Sequence, residues 1–393
     1  MSSRPAAMAK ASRTEPAPLA GLLEEIVVWE ILVRLPPDPL LRCRAVCRSW
    51  RRQLASAAFL LRHHHHQPSL PLLVGYQYGS GCYLDILVLD RRAADPAAQL
   101  VPVARHRNAA VRVAASCDGI LILSMLFGQY FFVCNPVTGE VAAPRVICGF
   151  SLMGFYRHRP TGEYRLLLYR GQDQELMQED LVPGARDSCY IFALGGDLPP
   201  RCIGWPLSAR TPCRGTSVLV RGSLHWGPML HQSGGGMITV FDTMAESFRT
   251  MQAPIVLKKE PLLEGDTCLF EMDGTLGMYT CNDGELRRVD IWVLQDYERE
   301  VWAFKYRVEL PMTEIRNKFD GCEGWRAMVI AEEADVLVLV YCNRWLLHVD
   351  TEGKLQASFH RDGQGLMTSP HMLKQSLVQH AFFPKLDDYV QNV

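Results

Sequence analysis

The sequence predicts an α+β multidomain chain, in which a small three-helix module is followed by an all-β, propeller-like domain of about six repeats. Two observations predict this class. Residues 22–60 carry helical patterns of apolar side chains separated by proline stops, whereas from about residue 70 short apolar runs alternate with Gly, Asp, Asn and Pro turns. Turn landmarks in the second part recur with a period near 50 residues, which is typical of propeller blades.

Composition excludes several classes of protein. The chain has 393 residues, of which 48% are hydrophobic and 21% are charged, as in ordinary globular proteins. The apolar run Val336–Cys342 is far shorter than the ~20 residues that span a bilayer, so no membrane span is expected. Thirteen scattered cysteines and no signal peptide predict reduced thiols, in the cytoplasm or the nucleus. A basic head, with ten Lys or Arg and five Asp or Glu in residues 1–66, is a weak indication of nucleic acid or an acidic partner.

The head of the chain divides into a tail and a module. Residues 1–20 are rich in Ala, Pro, Ser and Arg and are predicted to be a disordered tail, and residues 21–66 form the module. Its first helix is apolar around almost the whole circumference, ends at Pro36-Pro37, and must be covered on more than one side. A second helix is expected to begin near Asp38, and a third to pass through Trp50.

Internal repeats predict the architecture of residues 70–385. A turn followed by Gly-x-Leu recurs at Gly119, Gly222 and Gly274, and Asp335 is read as continuing the series with Asp in place of Gly. Apolar strands ending in Asn or Asp give the second landmark, at Asn135, Asp242, Asp296 and Asp350. One unit without these landmarks is expected between Gly162 and Gly196, and residues near 376–378 are expected to supply a strand that closes the ring.

Three segments of the module together resemble the F-box family. These segments are Leu22-Leu23-Glu24-Glu25-Ile26, Ile31-Leu32-Val33-Arg34-Leu35-Pro36, and Leu40-Leu41-Arg42-Cys43-Arg44-Ala45-Val46-Cys47-Arg48-Ser49-Trp50. The last two match the family pattern well, whereas Leu23 stands where the family usually has proline. The resemblance implies that the module docks on the Skp-family linker subunit of a cullin-based ubiquitin ligase.

The β region resembles the plant F-box-associated domain through an ordered set of short motifs. They are Ser116-Cys117-Asp118-Gly119, Asn135-Pro136-Val137-Thr138-Gly139, Thr161-Gly162-Glu163-Tyr164, Gly222-Ser223-Leu224-His225-Trp226 and Asp290-Ile291-Trp292-Val293-Leu294. The two resemblances imply an SCF-type substrate adaptor that is not itself an enzyme, needs no cofactor and holds an unidentified target protein. Two alternatives remain open: an enzyme or a carbohydrate- or ligand-binding propeller with a helical docking head, and a scaffold that never ubiquitinates anything.

The predicted docking residues follow the F-box motif. They are Leu22, Ile26, Ile31, Leu35, Pro36, Leu40, Val46, Cys47 and Trp50. Some are expected to pack the helices together and the others to face the partner. Leu40 is placed at the partner surface and Cys47 is expected to be packed, whereas Trp50 is expected both to fix the three helices and to shape the partner surface.

Other clusters are assigned structural roles. The arginines at positions 42, 44, 48, 51 and 52 are interpreted as a solvated face or a match to an acidic partner rather than a nucleic-acid contact. The histidines at 63–66 are placed in a polar linker, and no metal site or catalytic residue is predicted. His225-Trp226 is interpreted as blade core, and Asp242, Asp273 and Asp296 as turn residues.

Overall fold

The computed structural model describes most of the chain in two compact units, which divide between Gln67 and Pro68. The predicted tail 1–20 and Leu22 lie outside the described residues. The described ranges are 24–77, 83–107, 110–171, 187–196, 198–204, 215–230, 236–254, 267–282, 287–319, 325–332, 335–342, 344–361 and 364–383.

The described part of the first unit is helical, as predicted, but it contains one helix more than the sequence suggested. Its elements are α1 (Glu24–Ile26), a π-helical turn (Val27–Ile31), a 3₁₀ turn (Leu32–Arg34), α2 (Pro37–Cys43), α3 (Arg48–Gln53) and α4 (Ala57–His66). The fourth, α4, lies where a polar linker was predicted. The Ser56 hydroxyl caps its first turn by accepting a hydrogen bond from the Phe59 amide at 3.3 Å, and Phe59, Leu60 and His63 supply the buried face.

The described part of the second unit contains six four-stranded antiparallel sheets, which confirms the predicted six-bladed propeller. The strands are β1 (Ser69–Gln77), β2 (Tyr83–Leu89), β3 (Leu100–His106), β4 (Arg112–Cys117), β5 (Ile120–Met125), β6 (Tyr130–Asn135), β7 (Glu140–Ala142), β8 (Ser151–Arg157), β9 (Tyr164–Arg170), β10 (Ser188–Ala193), β11 (Arg201–Gly204), β12 (Val218–Val220), β13 (Ser223–Leu230), β14 (Gly236–Asp242), β15 (Ser247–Gln252), β16 (Thr267–Met272), β17 (Thr275–Asn282), β18 (Arg288–Asp296), β19 (Val301–Glu309), β20 (Trp325–Glu332), β21 (Asp335–Cys342), β22 (Trp345–Val349), β23 (Leu355–Phe359) and β24 (Gln364–Lys374). Two short helices, α5 (Pro96–Gln99) and α6 (Met312–Lys318), lie in connections between strands. Among the residues with a described position, no helix is long and apolar enough to cross a membrane.

The ring is closed by the C-terminal strand. Blade 1 has the order β24-β1-β2-β3, and blades 2 to 6 each take four consecutive strands from β4 to β23. The prediction that residues 376–378 form the closing strand is wrong, because β24 ends at Lys374, opposite Ser69. Ser376 has a different role: its carbonyl oxygen accepts a hydrogen bond from the Asn135 side-chain amide of blade 2 at 3.0 Å.

Six apolar cores lie between neighbouring blades, which shows that the sheets are arranged radially and are not stacked as a sandwich. Leu72 of blade 1 shares a core with Leu121 of blade 2. On the other face of blade 1, Leu73 shares a core with Leu339 of blade 6, so the series closes on itself. The unit that the repeat analysis inferred between Gly162 and Gly196 is blade 3.

The first landmark of each repeat is a two-residue hairpin turn between the first and second strands of a blade. Gly119, Gly222 and Gly274 all have positive φ angles, and each is preceded by a residue whose φ is also positive, as a type I′ turn requires. The alignment of Asp335 with these glycines is wrong by one residue. Asp335 pairs with Glu332 and therefore begins β21, so the position equivalent to the glycine is 334, outside the described residues.

Candidate docking surface

The helical module buries part of its apolar surface and leaves the rest in solvent. Val28, Val33, Leu40, Leu54 and Phe59 are fully buried and form its centre. Among the residues of the module that the structure describes, five large apolar side chains remain exposed: Ile26, Ile31, Leu41, Val46 and Leu61. Exposed apolar residues in such numbers on a module of this size are typical of a protein-binding surface.

The predicted docking residues divide between surface and core. Ile26, Ile31, Pro36, Val46 and Cys47 are exposed, and Leu35 and Trp50 are half-buried. Leu40 is wrongly placed by the sequence analysis: its side chain has no exposed surface, whereas Leu41 is 38% exposed. The reason is the helical period, since α2 buries Pro37 and Leu40 on one stripe and its next residue points about 100° away.

The expectation for Cys47 also needs correction. Cys47 was expected to be packed, but it is exposed and precedes α3 as its N-cap, where its sulfur accepts a hydrogen bond from the Trp50 amide at 3.4 Å. Trp50 is half-buried. Both residues therefore lie at the edge of the module core and have part of their surface available to a partner.

The first helix of the module runs from Glu24 to Arg34 and comprises α1, the π-helical turn and the 3₁₀ turn. It exposes two isoleucines because its winding changes. Residues five apart in an α-helix lie about 140° apart around the axis. In the π-helical turn the Leu32 amide donates to the Val27 carbonyl, five residues earlier, and this wider turn reduces the angle between Ile26 and Ile31. Their side chains are 41% and 47% exposed, whereas the intervening Val27 and Val28 are buried.

The fourth helix holds the first one through ring contacts and an ion pair. The rings of Trp29 and Phe59 are 5.5 Å apart, and the Arg62 guanidinium lies 5.9 Å from the centre of the Trp29 ring. Arg62 also pairs with Glu30 at 3.4 Å. Phe59 stacks in turn on His63 at 6.3 Å, so the face of α4 that carries Phe59 and His63 is part of the module core.

The histidines at 63–66 are therefore not in a linker. His63 and His64 are buried in α4, and Nε2 of His63 lies 2.8 Å from the Leu35 carbonyl oxygen. Within the described residues, no group of three or more His, Cys, Asp or Glu side chains is placed to hold a metal ion. Nine cysteines of the described ranges carry free thiols, whereas Cys342 is disulfide-bonded, so the expectation of reduced thiols throughout is wrong at Cys342.

The arginines at positions 42, 44, 48, 51 and 52 form the basic stripe of the module. One of them, Arg44, has a clear structural role. The Arg44 guanidinium donates to the Leu54 carbonyl at 3.0 Å, which ties the end of α2 to the end of α3. Arg51 donates from Nε to the Arg44 carbonyl at 3.4 Å. Arg42, Arg48 and Arg52 are exposed, which agrees with the interpretation of a solvated face.

In the propeller, the Asn and Asp landmarks are turn residues. Oδ1 of Asp242 accepts hydrogen bonds from the Met244 and Ala245 amides at 2.7 and 2.9 Å. Asp296 accepts from Glu298 and Arg299 in the same way, at 3.1 and 3.0 Å. These side chains form Asx turns between the third and fourth strands of a blade, so the geometry accounts for these carboxylates without catalysis.

The His225-Trp226 pair is blade core, as predicted. Both side chains are fully buried, and the Trp226 indole donates to the Met153 carbonyl of blade 3 at 3.1 Å. His225 contacts the Tyr297 hydroxyl of blade 5 through Nε2 at 2.8 Å. Burial lowers the pKa of His225 to about 4, so this histidine is neutral at physiological pH.

A shallow apolar groove of about 310 Å³ lies between blades 2 and 3. Its lining includes Val133, Pro144, Phe192 and Leu194, together with Phe382 from the C-terminal segment. The outer strands here, β7 and β11, are only three and four residues long, so the gap between the diverging blades is incompletely filled.

Sequence reasoning missed two surface residues of the module, Leu41 and Leu61. Leu41 stands beside Leu40 in the F-box motif, and a helical wheel of α2 anchored on buried Pro37 would have separated the two leucines. Leu61 could have been found only after α4 had been recognised. The signal for α4 was present in the sequence: Ser56 is a favourable N-cap, and Phe59 and His63 are spaced by four residues.

Comparisons with protein families match both units of the chain. Residues 97–345 match the model described as the F-box associated beta propeller domain. Residues 23–62 match the F-box domain. The matched β region alone covers more than half of the chain.

Curated relatives come from Arabidopsis thaliana. The F-box protein At1g33530 is 26% identical over 287 residues, which cover 71% of this chain and 61% of that protein. The F-box protein At5g49610 is 23% identical, over 81% of this chain and 88% of the relative. The F-box protein At3g07870 is 24% identical, over 84% of this chain and 85% of the relative.

Solved structures show only a distant likeness. TolB from Acinetobacter baumannii aligns with a TM-score of 0.41 and 10% identity, over 82% of this chain and 72% of TolB. A protein of unknown function from Bacteroides caccae aligns with a TM-score of 0.38 and 11% identity, over 76% of this chain and 98% of that protein. At these scores the likeness carries no argument about function.

Proposed function

The chain belongs to the F-box proteins that carry an F-box associated β-propeller domain, and from this premise we propose that it is the substrate-recognition adaptor of an SCF-type ubiquitin ligase. In this role the helical module docks on the Skp-family linker subunit and, through it, on a cullin. The propeller holds a target protein so that the ligase can transfer ubiquitin to it. The adaptor itself performs no chemistry and needs no cofactor, and it acts in the cytoplasm or the nucleus.

The exposed apolar side chains of the module are the observation that carries this proposal. Ile26, Ile31, Leu41 and Val46 are 38–62% exposed, although each would gain from burial. Removing apolar area from water contributes about 25 cal/mol per Å², before the costs of association are subtracted. A partner that covers these side chains supplies the burial that the short helices cannot supply to each other.

Purified full-length chain and linker subunit test the docking step. We expect a direct complex by isothermal titration calorimetry, and we expect Val46→Asp to weaken it more than tenfold, because a carboxylate would be buried in an apolar contact. Arg52→Ala is the matched control at an exposed polar position of the same module. We expect its affinity to change little, and the wild-type complex to survive about 0.5 M salt, where exposed charges are strongly screened.

The opposite pattern would identify the basic stripe as the contact. That pattern is loss of binding in Arg52→Ala or at high salt, with full binding by Val46→Asp. If the wild-type chain binds no linker subunit under native conditions, the adaptor function itself is wrong and a propeller with another activity becomes the better interpretation.

Ubiquitin transfer is a separate step with its own test. A reconstituted ligase containing the wild-type chain should modify proteins that co-purify with the propeller, and the Val46→Asp variant should not. Linker binding without any transfer would make the protein a scaffold. Proximity labelling with and without the helical module would identify the target, because only the target should remain labelled when the module is deleted.

A further inference from the structure

The corner between the first helix and α2 is fixed by two side chains of the C-terminal part of the module. Nε2 of His63 lies 2.8 Å from the Leu35 carbonyl oxygen, and the Gln67 amide nitrogen donates to the same oxygen at 3.0 Å. His63 and Gln67 are both buried. In a continuous helix the donor to Leu35 would be the backbone N–H of residue 39, but Pro39 has none. Side chains from the end of α4 therefore satisfy this carbonyl.

The surroundings define the protonation state of His63. Nε2 of His63 lies 2.8 Å from the Leu35 carbonyl oxygen and 3.0 Å from the Gln67 amide nitrogen. In the tautomer that carries its hydrogen on Nε2, His63 donates to the Leu35 carbonyl, because a carbonyl oxygen only accepts. Nδ1 is buried without a hydrogen-bond partner, as suits the bare nitrogen of a neutral imidazole. Burial lowers the pKa of His63, and the nearby charges of Arg44 and His66 lower it further. A second proton would be placed at Nδ1, where no acceptor is available, so acid disfavours this arrangement.

The corner lies between the exposed apolar residues of two helices. Ile31 is four residues before Leu35, and Leu41 is six residues after it. A change in backbone direction at Leu35 would alter the angle between these side chains without removing either. We propose that His63 and Gln67 are positioning residues of the docking surface, which hold the Leu35 corner so that the first helix and α2 meet the linker subunit together. This inference rests on the proposed adaptor function.

Matched variants of the full-length chain test it. His63→Gln places an amide nitrogen at a similar reach, so it keeps a donor but cannot titrate, whereas His63→Leu keeps bulk and loses the donor. With the linker subunit as the probe at pH 7.5, we expect His63→Leu and Gln67→Leu each to weaken binding about tenfold, the effect of one lost buried hydrogen bond. His63→Gln should stay within about threefold of wild type.

A pH series separates positioning from simple packing. Between about pH 7.5 and pH 5, wild-type affinity should fall more steeply than that of His63→Gln, because only wild type can protonate residue 63. Titrating groups of the linker subunit cancel in this comparison, since both chains bind the same partner. Equal affinity of wild type, His63→Leu and Gln67→Leu, or parallel pH profiles of wild type and His63→Gln, would overturn the inference.

The outcomes remain distinguishable from failure of the adaptor function. If wild type does not bind the linker subunit at all, the adaptor function fails. Hydrogen exchange over residues 57–66 shows whether His63→Leu still folds α4. If it does not, the comparison of wild type with His63→Gln, which keeps the donor, decides the question.

Discussion

Neighbouring leucines in α2 have opposite roles, and this difference gives the sharpest test of the docking surface. Leu40 is fully buried, so Leu40→Ala should destabilise the module by about 2–5 kcal/mol through lost burial and the cavity left behind. Leu41 is 38% exposed, so Leu41→Ala should change stability by less than about 0.5 kcal/mol while weakening linker binding. Hydrogen exchange over residues 37–54 of the full-length chain reports the first effect, and calorimetric titration with the linker subunit reports the second.

The same pair shows how far single residues could be assigned from sequence. The F-box pattern identified the segment, but a family motif names positions without saying which side chain faces inward. Loss of exchange protection in Leu41→Ala but not in Leu40→Ala would contradict the structural assignment and restore the sequence-based placement of Leu40 at the surface.

At the scale of single elements, two copies of one hairpin turn differ in their surroundings. Gly119 and Gly274 have φ angles of +88° and +74° in equivalent turns of blades 2 and 5. A Cβ on Gly274 would have no atom within 4 Å, whereas a Cβ on Gly119 would lie 2.6 Å from the Lys374 carbonyl oxygen. Gly274→Ala should therefore cost about 1–2 kcal/mol from the left-handed backbone alone, and Gly119→Ala about 1–3 kcal/mol more from the overlap.

Urea denaturation of the propeller measures both variants under the same conditions. Equal losses of stability would mean that the C-terminal segment does not pack against the turn of blade 2. The glycines at these turns were predicted from the repeat, but the difference between the copies was not, because it depends on Lys374, 255 residues from Gly119 along the chain.

Helices and strands were predicted well where one period of apolar residues dominates their sequence. They were predicted poorly where contacts with distant parts of the chain determine whether they form or where they end. The strands of blades 2 to 6 follow from alternating apolar residues and Asx turns, which are local signals. In contrast, α4 was missed although Ser56 is a favourable N-cap, because its buried face includes His63, which contacts the Leu35 carbonyl at the corner between the first helix and α2. The closing strand was displaced along the chain, because its limits are set by pairing with β1, almost 300 residues earlier.

At the scale of the whole molecule, buried histidines make propeller stability depend on pH. His225, His348 and His371 are buried on three different blades, and burial lowers the pKa of each to about 4. In the unfolded chain these groups titrate near 6.5, so between pH 6.5 and about 4 the unfolded state binds more protons than the folded state. Their contribution to stability is complete above pH 6.5 and is lost as the pH falls through this window.

The size of this effect can be measured with one substitution. Each such histidine contributes at most about 1.4 kcal/mol per pH unit to the slope of the unfolding free energy against pH between pH 6 and pH 5. His371→Asn should reduce the slope by about that amount, whereas His65→Asn, at an exposed position, serves as the control. A slope that is unchanged by His371→Asn would show that this histidine is already charged in the folded propeller.

The closed ring of the propeller depends on β24, the strand at its C-terminal end, and three truncated chains test this dependence. A chain ending at residue 363 lacks β24, so β1 loses its outer partner strand. Blades 1, 2 and 6 also lose part of the apolar cores that they share. We expect this chain to unfold or aggregate, because the edge of β1 is left open. A chain ending at Lys374 keeps β24 but loses the Asn135–Ser376 hydrogen bond and buried Phe383, so it should remain closed with a lower melting temperature. A chain ending at Phe383 keeps both and should melt like the full-length protein. Size-exclusion chromatography and thermal melts rank the three chains, and a monomeric, normally melting chain that ends at residue 363 would show that β24 is not required to hold the six blades together.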